Sequence, residues 1–209
     1  MTSLRLGGLS LERPAVMGIL NTTPDSFSDG GRFTAGARAL EHARRMAGEG
    51  ADIIDVGGES TRPGASAVSE QEEIDRVVPV IESIRRELDV PLSIDTSKPG
   101  VMRAAVAAGA DMINDVRALR VAGALDAAVE LRKPVCLMHM QGEPRTMQQD
   151  PRYADVVADV TQFLRERVAE CVEAGLDEQL LLLDPGFGFG KTAADNIELL
   201  ANLRQLLAL

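Results

Sequence analysis

Three polar side chains stand where short apolar runs end: Asp95 after Leu92-Ser93-Ile94, Asn114 after Met112-Ile113, and Asp184 after a run of four leucines. Two carboxylates that only accept hydrogen bonds, and one amide that both donates and accepts, suit a flat heterocycle with an amidine-like edge, as in guanine or a pterin. Mg²⁺ is a competing occupant, because it takes one or two protein carboxylates beside phosphate oxygens. Asp and Asn at strand ends also cap helices. Recurrence at several strand ends favours a site.

Asp184 opens the glycine-rich stretch Pro185 to Lys191, PGFGFGK, which misses the phosphate-cradling pattern G-x-x-x-x-G-K-[ST] by its first residue. Proline supplies neither the N–H nor the backbone freedom of such a cradle, and Asp184 beside it repels a triphosphate. An ordinary strand-to-helix loop explains the glycines but not Phe187 and Phe189 exposed beside a carboxylate. In Gly57 to Gly64, GGESTRPG, Thr61 and Arg62 place a hydroxyl next to a guanidinium, either an anion contact or a plain surface turn. Asn21 ends the first core run and suits a phosphate oxygen or a phosphate-bound metal. His139 has no second histidine nearby and reads as a packed, hydrogen-bonded ring, with Met138 before it as a cavity wall.

These residues need elements to converge. Val16 to Leu20, Ile53-Ile54, Leu92 to Ile94, Met112-Ile113, Val135 to Met138 and Leu180 to Leu183 are apolar runs of buried strands, each finishing at a polar residue: Asn21, Asp55, Asp95, Asn114, His139 and Asp184; the second strand is read as Ile53 to Val56. Between them the helical period predicts helices over 35–48, from Ser69-x-x-Glu72 (a capping box), from Ser97 and Pro99, over 121–131, over about 151–174 and from Thr192. Gly50-Ala51-Asp52 and Gly109-Ala110-Asp111 mark repeated helix-to-strand junctions, with Gly175-Leu176-Asp177 a looser third. A short hairpin is expected to turn at Gly7-Gly8. Alternation of strand and helix implies a parallel sheet with right-handed crossovers. A doubly wound sheet gathers its site at one switch point, whereas a (β/α)8 barrel draws polar residues from nearly every strand, as here. Six units are present where closure needs eight.

The chain of 209 residues suffices for one domain, 1–209. Its 32 acidic against 22 basic residues, net charge −10, argue against nucleic acid or an anionic membrane as partner. The N-terminal residues resemble neither a signal nor a transit peptide, so a cytoplasmic protein is expected. Cys136 and Cys171 read as buried thiols.

The motifs MGILNTTPDSFSDGG (17–31), DIIDVGGESTRPGA (52–65), SIDTSKP (93–99), INDVRAL (113–119), CLMHMQGEPRTMQ (136–148) and LLLDPGFGFGK (181–191) resemble those of the dihydropteroate synthases, in the family's order and spacing. The resemblance implies a TIM-type (β/α)8 barrel of pterin-binding type that joins 6-hydroxymethyl-7,8-dihydropterin pyrophosphate to p-aminobenzoate, with Mg²⁺ and release of pyrophosphate, in folate synthesis. It further implies that Asp95 and Asp184 are catalytic, stabilising a pterin cation. Asp95, Asn114, Met138, Asp184 and Gly188 would bind the pterin. Thr61, Arg62, Phe187 and Phe189 would line the pyrophosphate and p-aminobenzoate side, with Asn21 serving the metal. Asp25, Ser26 and Phe27 would lie in a first mobile loop. The family continues with a Ser-Arg-Lys segment on a seventh strand and an Arg-x-His segment on an eighth, and is usually dimeric through late helices. The expectation is therefore a dihydropteroate synthase, homodimeric when full length, of which this chain is a C-terminally incomplete barrel; the alternative is a truncated or non-catalytic pterin-binding chain with no turnover of its own.

Overall fold

The computed structural model describes residues 5–6, 9–10, 13–22, 32–60, 67–144 and 146–207. β1 (Arg5–Leu6) and β2 (Leu9–Ser10) form a short antiparallel pair; Gly7 and Gly8, where a hairpin turn was expected, lie outside the described residues. Then β3 (Met17–Asn21), β4 (Ile53–Gly57), β5 (Leu92–Asp95), β6 (Met112–Asp115), β7 (Val135–Met138) and β8 (Leu181–Asp184) form one open sheet in chain order, every neighbouring pair parallel. The helices are α1 (Arg32–Gly48), α2 (Glu70–Glu87), α3 (Pro99–Ala107), α4 (Ala124–Leu131), α5 (Val156–Glu173), α6 (Ala193–Ala201) and α7 (Leu203–Leu206). These are six β/α units of a TIM-type fold.

Strand side chains alternate between two faces. One face carries Leu20, Ile54, Val56, Ile94, Ile113 and Leu137, all buried in one core with Ala43 of α1, Val77 and Ile81 of α2, Met102 of α3 and Ala128 of α4. Each such fully buried aliphatic contributes about 1.5–3 kcal/mol relative to exposure. The opposite face is apolar at its base, where Ile53 and Met112 meet Met17, Cys136 and Leu182. It turns polar toward the C-terminal ends of the strands. Among the described residues β3 and β8 are the sheet's edges, and Ile19 on the inner face is 53% exposed.

Local chemistry sets the boundaries. Ser69 caps α2 by accepting from the Glu72 N–H at 3.2 Å, although the Glu72 carboxylate goes to Arg76 at 2.5 Å. Thr192 and Asp195 close a reciprocal capping box on α6. Three expectations shift. Helix α4 starts at Ala124 rather than Val121 because Gly123 stands just before it at φ 80°. Helix α5 starts at Val156 rather than near Pro151, since Asp155 takes the cap and accepts from the Ala158 N–H at 2.9 Å. Ser97 caps nothing at α3: its hydroxyl donates to Asp115. The three junction glycines, Gly50, Gly109 and Gly175, all have positive φ.

Candidate functional site

Strand register assembles the polar face. Asn21, Gly57, Asp95 and Asn114 are successive partners across β3, β4, β5 and β6, and Met138 is the partner of Asp184 across β7 and β8. A Cβ at Gly57 would lie 3.5 Å from both Asn21 Oδ1 and Asp95 Oδ2, so the missing side chain leaves these two oxygens facing a shared space.

Asp55 lies two residues before Gly57 on the same face. The sequence reading took the second strand to Val56, and β4 runs one residue further to Gly57, which leaves Asp55 inside the strand, one layer deeper and 1% exposed. Its Oδ2 accepts from Asn114 Nδ2 at 3.0 Å, while its Oδ1 is buried with no hydrogen-bond partner. With Asn114 Nδ2 as the donor, this bond turns the amide oxygen away from Asp55. Burial raises the Asp55 pKa, opposed by the nearby Ser93 hydroxyl and by the Asn114 hydrogen bond.

Asp95 is pushed well above the usual carboxylate range, first by loss of water and then by Asp55, Asp115, Glu73 and Glu59. Burial also raises Asp184, opposed by the Gly186 N–H, which donates to its Oδ1 at 2.7 Å, and by Lys191. The cavity side thus offers crowded acceptors that a donor-rich or cationic ligand would relieve.

Supporting contacts hold the loops that leave these strands. Asp115 faces away from the cavity and accepts from the N–H groups of Arg117 (2.8 Å) and Leu119 (2.7 Å) as well as from Ser97. These bonds secure the turn in which Ala118 and Leu119 adopt φ 52° and 57°, and Arg167 Nε donates to the Ala118 carbonyl at 2.9 Å. Lys98 bridges Glu59 (2.5 Å) and the buried Glu73, while Arg76 Nη1 donates to the Gly58 carbonyl at 2.8 Å. Together they pin the start of the segment that leads to Thr61 and Arg62. Those two residues, like Asp25, Ser26 and Phe27, lie outside the described residues.

After β8 the chain turns through Gly186, Gly188 and Gly190 at φ 68°, 81° and 61°. A Cβ on Gly190 would lie 2.5 Å from the Gln141 carbonyl oxygen, and one on Gly186 would penetrate the His139 carbonyl more deeply, whereas Gly188 faces open space. Phe187 is 41% exposed, as expected; Phe189 instead tucks against the cluster of Val116, Met138, Met140 and Met147. Gly188 is exposed, with its N–H donating to Asn196 Oδ1 at 2.7 Å and its carbonyl accepting from Gln148.

Lys191, the residue that gave this loop its resemblance to a phosphate cradle, points inward and is 3% exposed. Its ammonium donates to the carbonyls of Gly186 (2.9 Å), Phe189 (3.0 Å) and His139 (3.2 Å), and meets His139 Nδ1 at 3.0 Å. Burial lowers its pKa to about 8. His139 is packed, edge-on to Phe163 at 4.9 Å, as the sequence suggested, but it has a partner in Lys191. Burial and that cation lower the His139 pKa to about 4, so the ring is neutral at pH 7.

Sequence reasoning missed Asp55 and Lys191. The available signal for Asp55 was the alternation Ile53, Asp55, Gly57; nothing in sequence tells an inward from an outward lysine.

Carboxylates gathered at the C-terminal ends of parallel strands on a TIM-type scaffold are the arrangement of small-molecule enzymes, and similarity to known proteins narrows the class. The family model described as pterin binding enzyme matches residues 17–209. The dihydropteroate synthase of Escherichia coli is 55% identical over 197 residues, covering 94% of this chain and 70% of the relative. A dihydropteroate synthase structure from Xanthomonas albilineans with 4-aminobenzoic acid superposes with TM-score 0.92 at 58% identity, covering 100% of this chain and 76% of the other. Another from the same organism, in complex with 7,8-dihydropteroate, gives TM-score 0.87 at 54% identity over 99% and 74% of the two chains.

The chain belongs to the pterin-binding enzyme family. Its activity within that family is dihydropteroate synthase, a transferase reaction of folate synthesis that condenses 6-hydroxymethyl-7,8-dihydropterin pyrophosphate with p-aminobenzoate. Among the described residues no helix is long and apolar enough to cross a membrane.

Proposed function

We propose that the dihydropterin lies over the row formed by Asn21, Gly57, Asp95 and Asn114, with Asp184 opposite. The observation that carries this reading is the acceptor set: Asn114 turned by Asp55 to present oxygen, beside the carboxylates of Asp95 and Asp184. Such a set matches the N–H-rich edge of a pterin. Met138 supplies an apolar wall and Gly188 the loop crest above it. Thr61 and Arg62 take the pyrophosphate side; Phe187 and Phe189 take p-aminobenzoate.

Reaction begins by breaking the bond between the pterin methylene carbon and the pyrophosphate oxygen, with the electron pair leaving on pyrophosphate. The delocalised pterin cation forms where Asp95 and Asp184 concentrate negative charge. The neutral aniline nitrogen then attacks the methylene carbon and gives up its proton to water.

Among the described residues no group of three or more His, Cys, Asp or Glu is arranged for a metal. Asn21 Oδ1, a hard oxygen beside Asp95 Oδ2, nevertheless fits Mg²⁺, which takes few protein ligands and completes its shell from phosphate and water. When bound, Mg²⁺ supplies charge neutralisation to the departing pyrophosphate. The protein is read as a single cytoplasmic domain, with the exposed Ile197, Leu200 and Leu207 of α6 and its neighbourhood supporting self-association as a homodimer.

Calorimetric titration with the dihydropterin pyrophosphate and Mg²⁺, beside Asp184→Asn, tests the pocket. Binding that the variant loses is expected; equal affinity in a folded variant sinks the assignment. The two open sheet edges favour a second reading for this chain alone, binding of the pterin without turnover.

A further inference from the structure

We infer that Lys191 is a positioning residue, a latch that clamps the 185–190 turn onto the end of β7 and thereby sets Phe187 and Phe189 relative to Asp184. Lys191 is the first residue past the turn, yet its side chain reaches back under it. An ammonium has three N–H donors, and here it meets four acceptors: the carbonyls of Gly186, Phe189 and His139, and His139 Nδ1. Two of these belong to the turn itself and two to the residue that follows β7. The clamp therefore joins separate strands of the sheet.

The close approach requires glycine. Gly186 lies so near the His139 carbonyl that no Cβ fits between them, and Gly190 stands the same way against Gln141. Tyr153 adds a bond from its hydroxyl to the Gly190 carbonyl at 2.7 Å. Buried carbonyls drawn this close need a donor between them, because a polar group left unsatisfied away from water is costly. The lysine supplies it. Burial and the same cation hold His139 neutral, and an ammonium donating to Nδ1 assigns the ring proton to Nε2. Charged groups that act on the latch are Asp184 on β8, Asp195 on α6 and, through His139, Arg120 on the loop before α4.

This inference rests on the proposed reading of the turn only where it names p-aminobenzoate; the latch itself is independent of any ligand. Hydrogen–deuterium exchange of the unliganded chain tests it. In the wild type, amides of 186–190 are expected to be protected despite the surface position of the turn; free exchange there overturns the latch without any variant. In Lys191→Met, protection is expected to fall about tenfold or more over 186–190 and to stay unchanged on β4, β5 and β6. Unchanged protection in the turn, or an equal loss throughout the sheet, overturns it. The imidazole NMR titration supplies a signature that a merely space-filling lysine would not move: His139 should titrate closer to 6.5 in Lys191→Met than in the wild type. A turn that loosens while p-aminobenzoate affinity is unaltered would leave the latch standing and remove the turn from that ligand's site.

Discussion

Gly186→Ala and Gly188→Ala place the same methyl two residues apart on one turn, and the structure separates their effects. Both residues hold positive φ, 68° and 81°, so each alanine carries a left-handed strain of about 1–2 kcal/mol. At Gly188 that is the whole cost, because nothing lies within 4 Å of the added atom. At Gly186 the methyl meets the His139 carbonyl. That carbonyl is fixed, since the His139 N–H donates to the Asp184 carbonyl at 2.9 Å and its oxygen accepts from Lys191. The turn must move instead, which breaks the Gly186 N–H bond to Asp184 and the Lys191 bond to the Gly186 carbonyl. Bonds to charged groups are worth about 1.5–3 kcal/mol each, so Gly186→Ala should cost at least about 3 kcal/mol more than Gly188→Ala. For a chain of this size, differential scanning calorimetry should find Gly188→Ala about 2–8 °C below wild type and Gly186→Ala lower by a further 6 °C or more. Dihydropterin affinity should survive the first substitution and fall with the second. Two variants that melt within about 2 °C of each other would refute the argument that backbone contact, rather than φ alone, demands the glycine.

Asp55→Ala should weaken dihydropterin binding about tenfold or more by leaving the Asn114 amide free to turn, and Asp55→Asn, which keeps an acceptor oxygen, should recover part of the loss; identical calorimetric affinities would remove Asp55 from the site. His139 titrates at about 4 folded and 6.5 unfolded, so between those values the unfolded chain binds more protons and stability falls as pH falls. Urea titrations should show about 1–2 kcal/mol of this loss from pH 7 to pH 5, read as the difference between wild type and His139→Asn because the raised carboxylates act in the opposite sense; equal slopes would contradict the neutral, buried ring. The open edges at β3 and β8, with Ile19 exposed, should drive concentration-dependent association, visible by light scattering and reduced in Ile19→Lys; a monomer at every concentration would count against it.

The order of the strands and the face on which Asp95 and Asn114 sit were legible because parallel strands end on one side and side chains alternate. The same alternation carries Asp55 inside the second strand, but its depth and its bond to Asn114 come from the pairing of β4, β5 and β6, which brings together residues 59 apart in sequence. Ser97 failed as a cap because its hydroxyl serves Asp115 on the neighbouring strand, a contact that spans 18 residues of sequence and has no local signature. Lys191 was opaque for a related reason. A lysine's direction is decided by which carbonyls the fold leaves unpaired, and three of the four acceptors here come into place only when β7 and β8 pair and the turn closes.

In the main sheet strand order equals chain order, and this bears on how the molecule is made. A chain emerging from the ribosome can add each strand to a neighbour already in place, with the intervening helix packing behind it, so no long-range strand insertion is required at any step. The unpaired edge then travels with synthesis from β4 to β8, and at every length the most recent strand is the reactive one. Pauses in translation just after a strand, before its helix is available to cover the apolar face, would be the moments at which neighbouring nascent chains capture one another.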